Sequence, residues 1–254
     1  MANDDFTISS LAAYLHMMPE QLAKLADRGK LPGRRVSGKW RFSQPEIHHW
    51  LETRIGVADD QQLAQMESTL ERVQAQDTSV ANGSHADGFH IGENAEDKIS
   101  FCLHRLIPPE AIEIPLAAKT RSRAISAMAE LAATTGLLWD PVQMAEAVAA
   151  RETLFPTALE NGVALLHPRR PQAANLSEAV VALGITDGAI PFGGRTLTDV
   201  FFLIGATDDH QHLRILARLS RMIGEEEWLA ALRKASNAEE AHELLITRDE
   251  QLES

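Results

Sequence analysis

The first 55 residues carry apolar positions at spacings that predict short helices and a hairpin. Residues 7–15 and 19–28 have apolar side chains three to four positions apart, which predicts two helices joined by a turn. Residues 36–42 alternate in polarity on either side of a Ser-Gly pair, which indicates a β-hairpin, and Trp40 is expected in the core beneath it. Residues 43–46 form a capping-box pattern that predicts the start of a third helix.

The middle of the chain shows two different patterns. Residues 57–75 have a narrow apolar stripe on a polar background, which predicts a polar helix that is either a short coiled coil or a spacer. Residues 76–97 have no apolar period and are rich in Ser, Asp, Asn and Gly, so we expect a flexible linker there.

From about residue 100 the apolar content rises, and strand-like and helix-like segments alternate. Strands are predicted at residues 111–117, 163–166, 179–185 and 199–204, and helices at residues 120–135, 141–151, 210–222, 225–235 and 238–246. This mixture predicts an α/β domain around a mixed sheet. We therefore expect a small N-terminal domain at 6–55, a helical and flexible linker at 56–98, and the α/β domain at 99–248.

The composition is that of an ordinary globular protein, with 44% hydrophobic and 24% charged residues. The single cysteine, Cys102, excludes an internal disulfide and a cysteine-based metal cluster. No apolar run approaches roughly 18 residues, the length of a membrane-spanning helix, and the acidic N-terminus lacks the basic start of a signal peptide. We expect a soluble cytoplasmic protein without membrane insertion.

The net charge of −12 is divided unevenly along the chain. Residues 1–56 contain eight Lys/Arg and six Asp/Glu, a net charge of +2, whereas the rest of the chain contains sixteen and thirty, a net charge of −14. An acidic surface repels nucleic acid, so any DNA contact is expected to be confined to the N-terminal region.

Several motifs within residues 6–54 are typical of one kind of DNA-binding module. They are Leu11-Ala12-Ala13-Tyr14-Leu15, Gly29-Lys30-Leu31-Pro32, Arg34-Arg35-Val36, Gly38-Lys39-Trp40-Arg41-Phe42 and Trp50-Leu51. Because of these motifs, the segment resembles the excisionase-type members of the MerR-like family, which are winged helix-turn-helix domains. The resemblance implies that the second helix enters the major groove and that the wing contacts phosphates.

The DNA contacts implied by this resemblance fall on two elements. The second helix would present Gln21, Lys24 and Arg28, and the wing would present Arg34, Arg35, Lys39 and Arg41. Cations suit the role because their binding to phosphates releases counterions. The other interpretation is that these cations only cover a solvated hairpin. A single module with few phosphate contacts binds weakly, so we expect a homodimer or a higher oligomer on DNA.

A second set of motifs surrounds His167. In chain order they are Arg151-Glu152, Thr157, Asn161-Gly162-Val163-Ala164, His167 itself and His212-Leu213-Arg214-Ile215-Leu216. Together with matching stretches at 106–112 and 188–203, they make residues 100–247 similar to phosphotransferase-system enzyme IIA domains of the fructose/mannitol type, and most to their nitrogen-regulatory branch.

The enzyme IIA resemblance implies a phosphoryl site made of His167, His212 and Arg151. A neutral imidazole is nucleophilic at a pH of about 7, and a phosphohistidine stays reactive enough to pass its group on. A guanidinium and a second imidazole can donate hydrogen bonds to the transferring group. In the family a proline directly precedes the acceptor histidine, whereas here Leu166 precedes His167 and Pro168 follows it. The proline therefore restricts the backbone of His167 itself.

Other active-site chemistry has little support in the sequence. His210-x-His212 and His48-His49 have no third ligand at helical spacing, so no metal site is predicted, and no cofactor is expected. The chain has no P-loop motif and no Gly-x-Ser-x-Gly motif, so neither P-loop nucleotide binding nor serine-hydrolase chemistry is indicated.

The two resemblances together predict a regulator linked to the phosphotransferase system. A phosphohistidine carrier protein would donate its phosphoryl group to His167, and the added charge would change a partner contact or an oligomer. There are two alternatives: an enzyme IIA phosphocarrier of a sugar-uptake chain that passes the group to an enzyme IIB, and a non-phosphorylated module that binds a regulated protein. Leu166 in place of the family's proline favours the second alternative.

Overall fold

The computed structural model describes residues 5–15, 17–43, 46–47, 50–51, 61, 63–64, 101–154, 156–193 and 197–253. The chain divides into two compact units, Met1–Ile99 and Ser100–Ser254. The linker predicted at 76–97 lies outside the described residues. Of the helix predicted at 57–75, the structure describes Gln61, Leu63 and Ala64, and all three are helical.

Two short helices lie near the start of the N-terminal unit, and the described residues Glu46, Ile47, Trp50 and Leu51, in the predicted third helix, are helical as well. Helix α1 spans Ile8–Tyr14 and is capped by Thr7, whose hydroxyl accepts a hydrogen bond from the amide of Ser10 at 3.1 Å. Helix α2 spans Pro19–Asp27, and its proline occupies the first position, where no intrahelical donor is needed. Gly29 follows α2 with a φ of +66°, the left-handed conformation that commonly ends a helix.

Three antiparallel strands are described in the N-terminal unit as well. They are β1 (Asp5–Phe6), β2 (Arg34–Val36) and β3 (Lys39–Ser43), in the spatial order β1-β3-β2. Strands β2 and β3 form the predicted hairpin, and Arg35 pairs with Trp40 across it. Ser37 and Gly38 at its tip have φ values of +51° and +76°, as a two-residue turn of this kind requires.

The core of this unit includes four fully buried side chains, those of Leu11, Leu22, Phe42 and Ile47. Trp40 was expected in this core and lies half-buried instead. Its ring stacks on Phe42 with 5.9 Å between centroids, while the Arg35 guanidinium carbon lies 5.1 Å from the indole centroid. Because Trp40 is two residues nearer the hairpin tip than Phe42, it covers the edge of the core and supports a wing cation.

The C-terminal unit contains a four-stranded mixed sheet. Its strands are β4 (Ile112–Glu113), β5 (Val163–Leu166), β6 (Val180–Pro191) and β7 (Leu197–Gly205), in the spatial order β4-β6-β7-β5. Strands β6 and β7 are antiparallel, whereas β4 runs parallel to β6 and β5 runs parallel to β7. The predicted mixed-sheet α/β fold is thereby confirmed.

Helices cover the sheet and follow it. They are α3 (Arg121–Ala133), α4 (Pro141–Leu154), α5 (Asp209–Ile223), α6 (Glu226–Leu232) and α7 (Ala238–Glu253), with 3-10 turns at Leu103–Leu106 and Pro109–Ala111. Asp140 caps α4, as predicted, by accepting from the amide of Gln143 at 2.9 Å. Asn237 likewise caps α7 by accepting from the amide of Glu240 at 2.9 Å.

Three elements differ most from the prediction. The strand predicted at 111–117 is reduced to Ile112–Glu113, because a turn follows directly. Strand β6 extends six residues beyond the predicted end at 185, through an irregularity between Ile185 and Ile190. Helix α7 extends seven residues beyond the predicted end at 246.

The main core of the C-terminal unit lies between the sheet and helices α3 and α4. Fully buried members include Met128 from α3, Met144 from α4, Leu166 from β5, and Phe192 and Phe201 from the segments around β7. Phe192 and Phe201 pack edge to face with 5.1 Å between their centroids. Within the part of the chain that the structure describes, none of the helices has the length and apolarity needed to cross a membrane.

Candidate functional site

His167 is the first residue after strand β5. The strand is buried along its whole length and pairs in parallel with β7, so Leu166 lies opposite Leu203. Because the sheet holds β5 on one side and the α3/α4 core holds its side chains, the position of His167 is fixed by packing. Only 2% of His167 is exposed.

The two ring nitrogens of His167 have different partners. Nδ1 lies 2.8 Å from the carbonyl oxygen of Leu165, which can only accept, so Nδ1 carries the hydrogen. Nε2 accepts a hydrogen bond from Nε of Arg151 at 3.1 Å and therefore offers a lone pair. Both contacts favour the same neutral tautomer, in which Nε2 is the nucleophilic atom.

Arg151 reaches His167 from the last turn of α4. A cation is favourable at this place because the helix dipole leaves partial negative charge at a C-terminus. The residue is only 9% exposed, and its Nε contact joins residues 16 positions apart in sequence.

His212 comes from the first turn of α5. Asp208 caps this helix by accepting from the amide of Gln211 at 2.9 Å, and the amide of His212 bonds to the carbonyl of Asp208 at 3.1 Å. The rings of His167 and His212 lie 4.9 Å apart between centroids, at an angle of 56°. The structure thus brings together the three residues predicted from sequence, although their roles stay predictions.

Glu152, which directly follows Arg151, and its partner Arg121 were not assigned to the site from sequence. Glu152 is fully buried and accepts from the amide of Thr157 at 3.1 Å and 3.2 Å, and from the Thr157 hydroxyl. Arg121 on α3 lies 3.6 Å from the same carboxylate. A glutamate next to an arginine at a helix end is expected from the sequence to be exposed to solvent. Only the tertiary contacts of Glu152 therefore identify it as a buried residue near the site.

Leu166, which stands where the family has a proline, contributes to the core and to the sheet. Its side chain is fully buried in the core, and its residue continues the pairing of β5 with β7 up to the histidine. The His167 ring still bonds to the carbonyl of Leu165. The departure from the family pattern therefore leaves the imidazole anchored.

The residues predicted to contact DNA from α2 are all exposed. Gln21, Lys24 and Arg28 lie on the surface of the N-terminal unit. The Gln21 side chain is partly engaged, because its Oε1 accepts a hydrogen bond from the amide of Met18 at 3.3 Å. Lys24 on α2 and Arg28, which directly follows the helix, are thus the cations exposed here.

The four predicted wing residues have different surroundings. Arg34 is 66% exposed and binds Asp5 at 2.7 Å, and this hydrogen bond raises the pKa of Arg34. Arg35 binds Asp27 at 3.0 Å. Lys39 is exposed, and Arg41 is half-buried. Asp5 and Asp27 offset part of the positive charge of the wing, so Lys39 carries relatively more of it.

Residues 105–247 match the family model described as "Phosphoenolpyruvate-dependent sugar phosphotransferase system, EIIA 2". This match covers more than half of the chain, so the chain belongs to that family. Residues 6–55 match the model of a helix-turn-helix domain. Both resemblances inferred from the sequence are confirmed. A comparison with curated proteins finds no match.

A comparison with solved structures finds similar chains, of which the first supports the fold. The nitrogen regulatory protein IIA-Ntr from Neisseria meningitidis is 22% identical, with a TM-score of 0.50 over 56% of this chain and 98% of that chain. IIA mannitol from Escherichia coli is 22% identical, with a TM-score of 0.49 over 54% and 97%. A complex of enzyme IIA and phosphorylated enzyme IIB for mannitol from Escherichia coli matches with 21% identity and a TM-score of 0.48 over 55% and 98%.

Proposed function

We propose that this protein is a regulator of the phosphotransferase system that accepts a phosphoryl group on His167 and binds DNA through its N-terminal unit. The observation that carries the proposal is the His167 ring, held at Nδ1 by a carbonyl and contacted at Nε2 by Arg151, with a second imidazole beside it. This is the set of groups that phosphoryl transfer to histidine needs.

The donor is a phosphohistidine carrier protein. Nε2 of His167 attacks phosphorus with its lone pair, the donor's P–N bond breaks on the opposite side, and the donor imidazole leaves with that electron pair. The hydrogen on Nδ1 stays in its bond to the Leu165 carbonyl, which stabilises the positive charge that the His167 ring gains. No separate proton acceptor is required for this step.

Arg151 and His212 serve the transferring group. In the structure the Nε–H of Arg151 points to the lone pair of Nε2, so the guanidinium has to turn toward the incoming oxygens before attack. Its planar set of donors then suits the equatorial oxygens, and His212 approaches the same group from α5. A phosphoryl group adds about −1.5 to −2 of charge at this point.

The N-terminal unit supplies the proposed DNA contacts. Lys24 on α2, Arg28 directly after it and Lys39 on the wing are exposed. Arg34 and Arg35 stay largely accessible beside their aspartates. The positive charge of residues 1–56 contrasts with the acidic remainder of the chain, so DNA binds at this unit and a homodimer strengthens the contact. Arg41, half-buried in β3, is the fourth proposed wing contact.

The test is intact-mass spectrometry after incubation with phosphoenolpyruvate, enzyme I and a histidine phosphocarrier. Wild type is expected to gain one acid-labile phosphoryl group, and His167→Ala is expected to gain none. His242→Ala, on α7, is the matched control and is expected to behave as wild type. A protein that stays unmodified while the carrier is visibly phosphorylated would instead be the non-phosphorylated binding module.

A second experiment separates regulation from sugar uptake. Phosphorylated protein is incubated with enzyme IIB proteins, and DNA binding of the phosphorylated and unphosphorylated forms is compared. A regulator is expected to change its DNA binding or oligomeric state on phosphorylation. Rapid onward transfer to an enzyme IIB, with unchanged DNA binding, would favour the sugar-uptake phosphocarrier.

A further inference from the structure

Glu152 is a buried carboxylate next to the residue that contacts His167. It occupies the last turn of α4, directly after Arg151, and is fully buried. Its two carboxylate oxygens accept from the amide of Thr157 at 3.1 Å and 3.2 Å, and one of them also accepts from the Thr157 hydroxyl. A charge is buried at this depth only when such partners compensate it.

Thr157 connects this carboxylate to the strand that carries His167. The next residue, Ala158, forms an isolated antiparallel bridge with Ala164 of β5. The amide of Leu159 then donates to the carbonyl of Val163 at 2.8 Å. The carboxylate of Glu152 therefore ties the end of α4 to β5 through a short series of hydrogen bonds.

Arg121 gives Glu152 a second, ionic partner. Its Nη2 lies 3.6 Å from Glu152 Oε2, and its guanidinium carbon lies 5.7 Å from the centre of the Phe192 ring. Arg121 belongs to α3, so the charge of Glu152 is balanced from outside α4. Arg151, the neighbour of Glu152 in the chain, directs its Nε toward His167.

We infer that Glu152 is a positioning residue for phosphoryl transfer, which sets the distance between the Arg151 guanidinium and Nε2 of His167 by holding Thr157. Arg151 lies in the last turn of α4 and His167 directly follows β5, two elements that share one core, and the contact between them spans 3.1 Å. Misplacing a catalytic group by about 1 Å can lower a rate about 100-fold. The inference rests on the proposed function and names the residue that orders its site.

The experiment compares Glu152→Ala and Glu152→Gln with Glu130→Gln, an exposed carboxylate of α3 paired with Arg123, as the matched control. Phosphoryl transfer to each purified full-length protein is measured against the concentration of phosphorylated carrier. In Glu152→Ala the maximal rate is expected to fall about 100-fold while the half-saturating carrier concentration stays unchanged. The glutamine variant keeps one acceptor oxygen for Thr157 and is expected to recover part of the loss. Glu130→Gln is expected to match wild type.

Thr157→Val provides a milder variant that keeps the side-chain volume and removes the hydroxyl donor. It is expected to lower the maximal rate, but by less than Glu152→Ala does, since the amide of Thr157 still donates to Glu152. If Glu152→Ala does not fold, this variant decides the question. A folded Thr157→Val or Glu152→Ala protein with the wild-type maximal rate would overturn the inference.

Nitrogen NMR of the His167 ring gives a readout that does not depend on phosphoryl transfer. The wild-type ring is expected to show one protonated nitrogen and one that accepts a hydrogen bond. Loss of the accepting signal in Glu152→Ala, with circular dichroism unchanged, supports positioning even if the wild type takes no phosphoryl group. An unchanged ring spectrum in that variant counts against the inference, whatever becomes of the proposed function.

Discussion

At the scale of single residues, the orientation of the His167 ring depends on one backbone carbonyl and one guanidinium. The carbonyl of Leu165 fixes which nitrogen carries hydrogen, and Arg151 contacts the other. A lysine in place of the arginine would keep the charge but would lose the planar arrangement of donors. The shape of the guanidinium, as well as its charge, therefore matters at this position.

Arg151→Lys is expected to lower the maximal rate of phosphoryl transfer about 10- to 100-fold, with little change in the half-saturating carrier concentration. Arg169→Lys, at an exposed position just beyond the site, is the control and is expected to have no effect. Steady-state transfer from the phosphorylated carrier gives both parameters. Equal rates for Arg151→Lys and wild type would mean that the guanidinium geometry plays no part in transfer.

Gly162 shows how one residue can set the start of strand β5. Its φ is +82°, and a Cβ there would lie 2.8 Å from Nη2 of Arg233 and 3.2 Å from Oδ1 of Asp199. Arg233 itself is held by Asp199 through two bonds of 2.8 Å and 2.9 Å, so it cannot move away without breaking an ion pair. The sequence motif at 161–164 thus corresponds to a real steric requirement.

Gly162→Ala is expected to lower the free energy of unfolding by about 2 kcal/mol, because alanine is strained at positive φ and the added methyl group crowds Arg233. Gly188→Ala is the control, since a Cβ there meets nothing within 4 Å and the residue has no positive φ. Chemical denaturation of both variants measures the difference. Equal losses at the two glycines would contradict the steric argument.

The residues of the candidate site were predictable from sequence to different degrees. His167, His212 and Arg151 were found because each lies in a motif with a recognisable order. Glu152 and Thr157 belong to such a motif too, but their contact could not be predicted, because their mutual hydrogen bonds depend on how the chain folds back after α4. Contacts made through tertiary structure leave no periodic signal in the sequence.

At the scale of elements, the predictions succeeded where hydrophobic pattern and local capping agree. Strand β5 has the predicted bounds of Val163–Leu166 because four apolar residues follow a turn. Strand β6 was predicted too short because Thr186-Asp187-Gly188 reads as a turn. In the structure the Thr186 hydroxyl donates to the carbonyls of Gly188 and Asp199, which carries the strand through the irregularity.

Helix α7 was also predicted too short, because its last turns lack an apolar pattern. Its added length includes Asp249, a charged residue in a polar stretch that offers no apolar signal. Asp249 is buried and binds Nη1 of Arg218 at 2.7 Å, while its other oxygen accepts from the amide of His104 at 2.9 Å. These contacts join α7 to α5 and to the turn at Leu103–Leu106.

Asp249→Asn is expected to lower the free energy of unfolding by about 3 kcal/mol, because it removes the buried negative charge that pairs with Arg218. Glu253→Gln is the control, because Glu253 lies 3.9 Å from the same arginine and is more exposed, and its loss should be below about 1 kcal/mol. Urea denaturation followed by circular dichroism measures both. A loss in Asp249→Asn as small as in the control would show that the pair adds little stability.

At the scale of the whole molecule, the chain combines a domain of a phosphotransferase-system family with a helix-turn-helix domain. The net charge of the helix-turn-helix region is opposite in sign to that of the rest of the chain. The helix-turn-helix match covers residues 6–55, and the EIIA match covers residues 105–247. The net positive charge lies in the helix-turn-helix region, so the surfaces of the two regions suit different partners. Charge asymmetry of this kind was readable from sequence, since it depends on composition alone.

The salt dependence of the proposed DNA binding follows from this division of charge. If Lys39 neutralises one phosphate, Lys39→Ala lowers the slope of log affinity against log salt concentration by about 0.9. The effect should be clear at Lys39, which is exposed on the wing, and smaller at Arg34, whose charge is already shared with Asp5. Lys119→Ala removes the same charge from an exposed position in the acidic C-terminal unit and is the matched control.

Fluorescence anisotropy with one DNA fragment at several salt concentrations measures the slope for each variant. Lys119→Ala is expected to keep the wild-type slope, because a cation distant from the phosphates releases no bound counterions. If both lysine variants lowered the affinity without changing the slope, the two lysines would affect DNA binding through the net charge of the protein rather than by contacting a phosphate. An equal reduction of the slope at Lys119 would place DNA on the C-terminal unit and refute the assignment of binding to the wing.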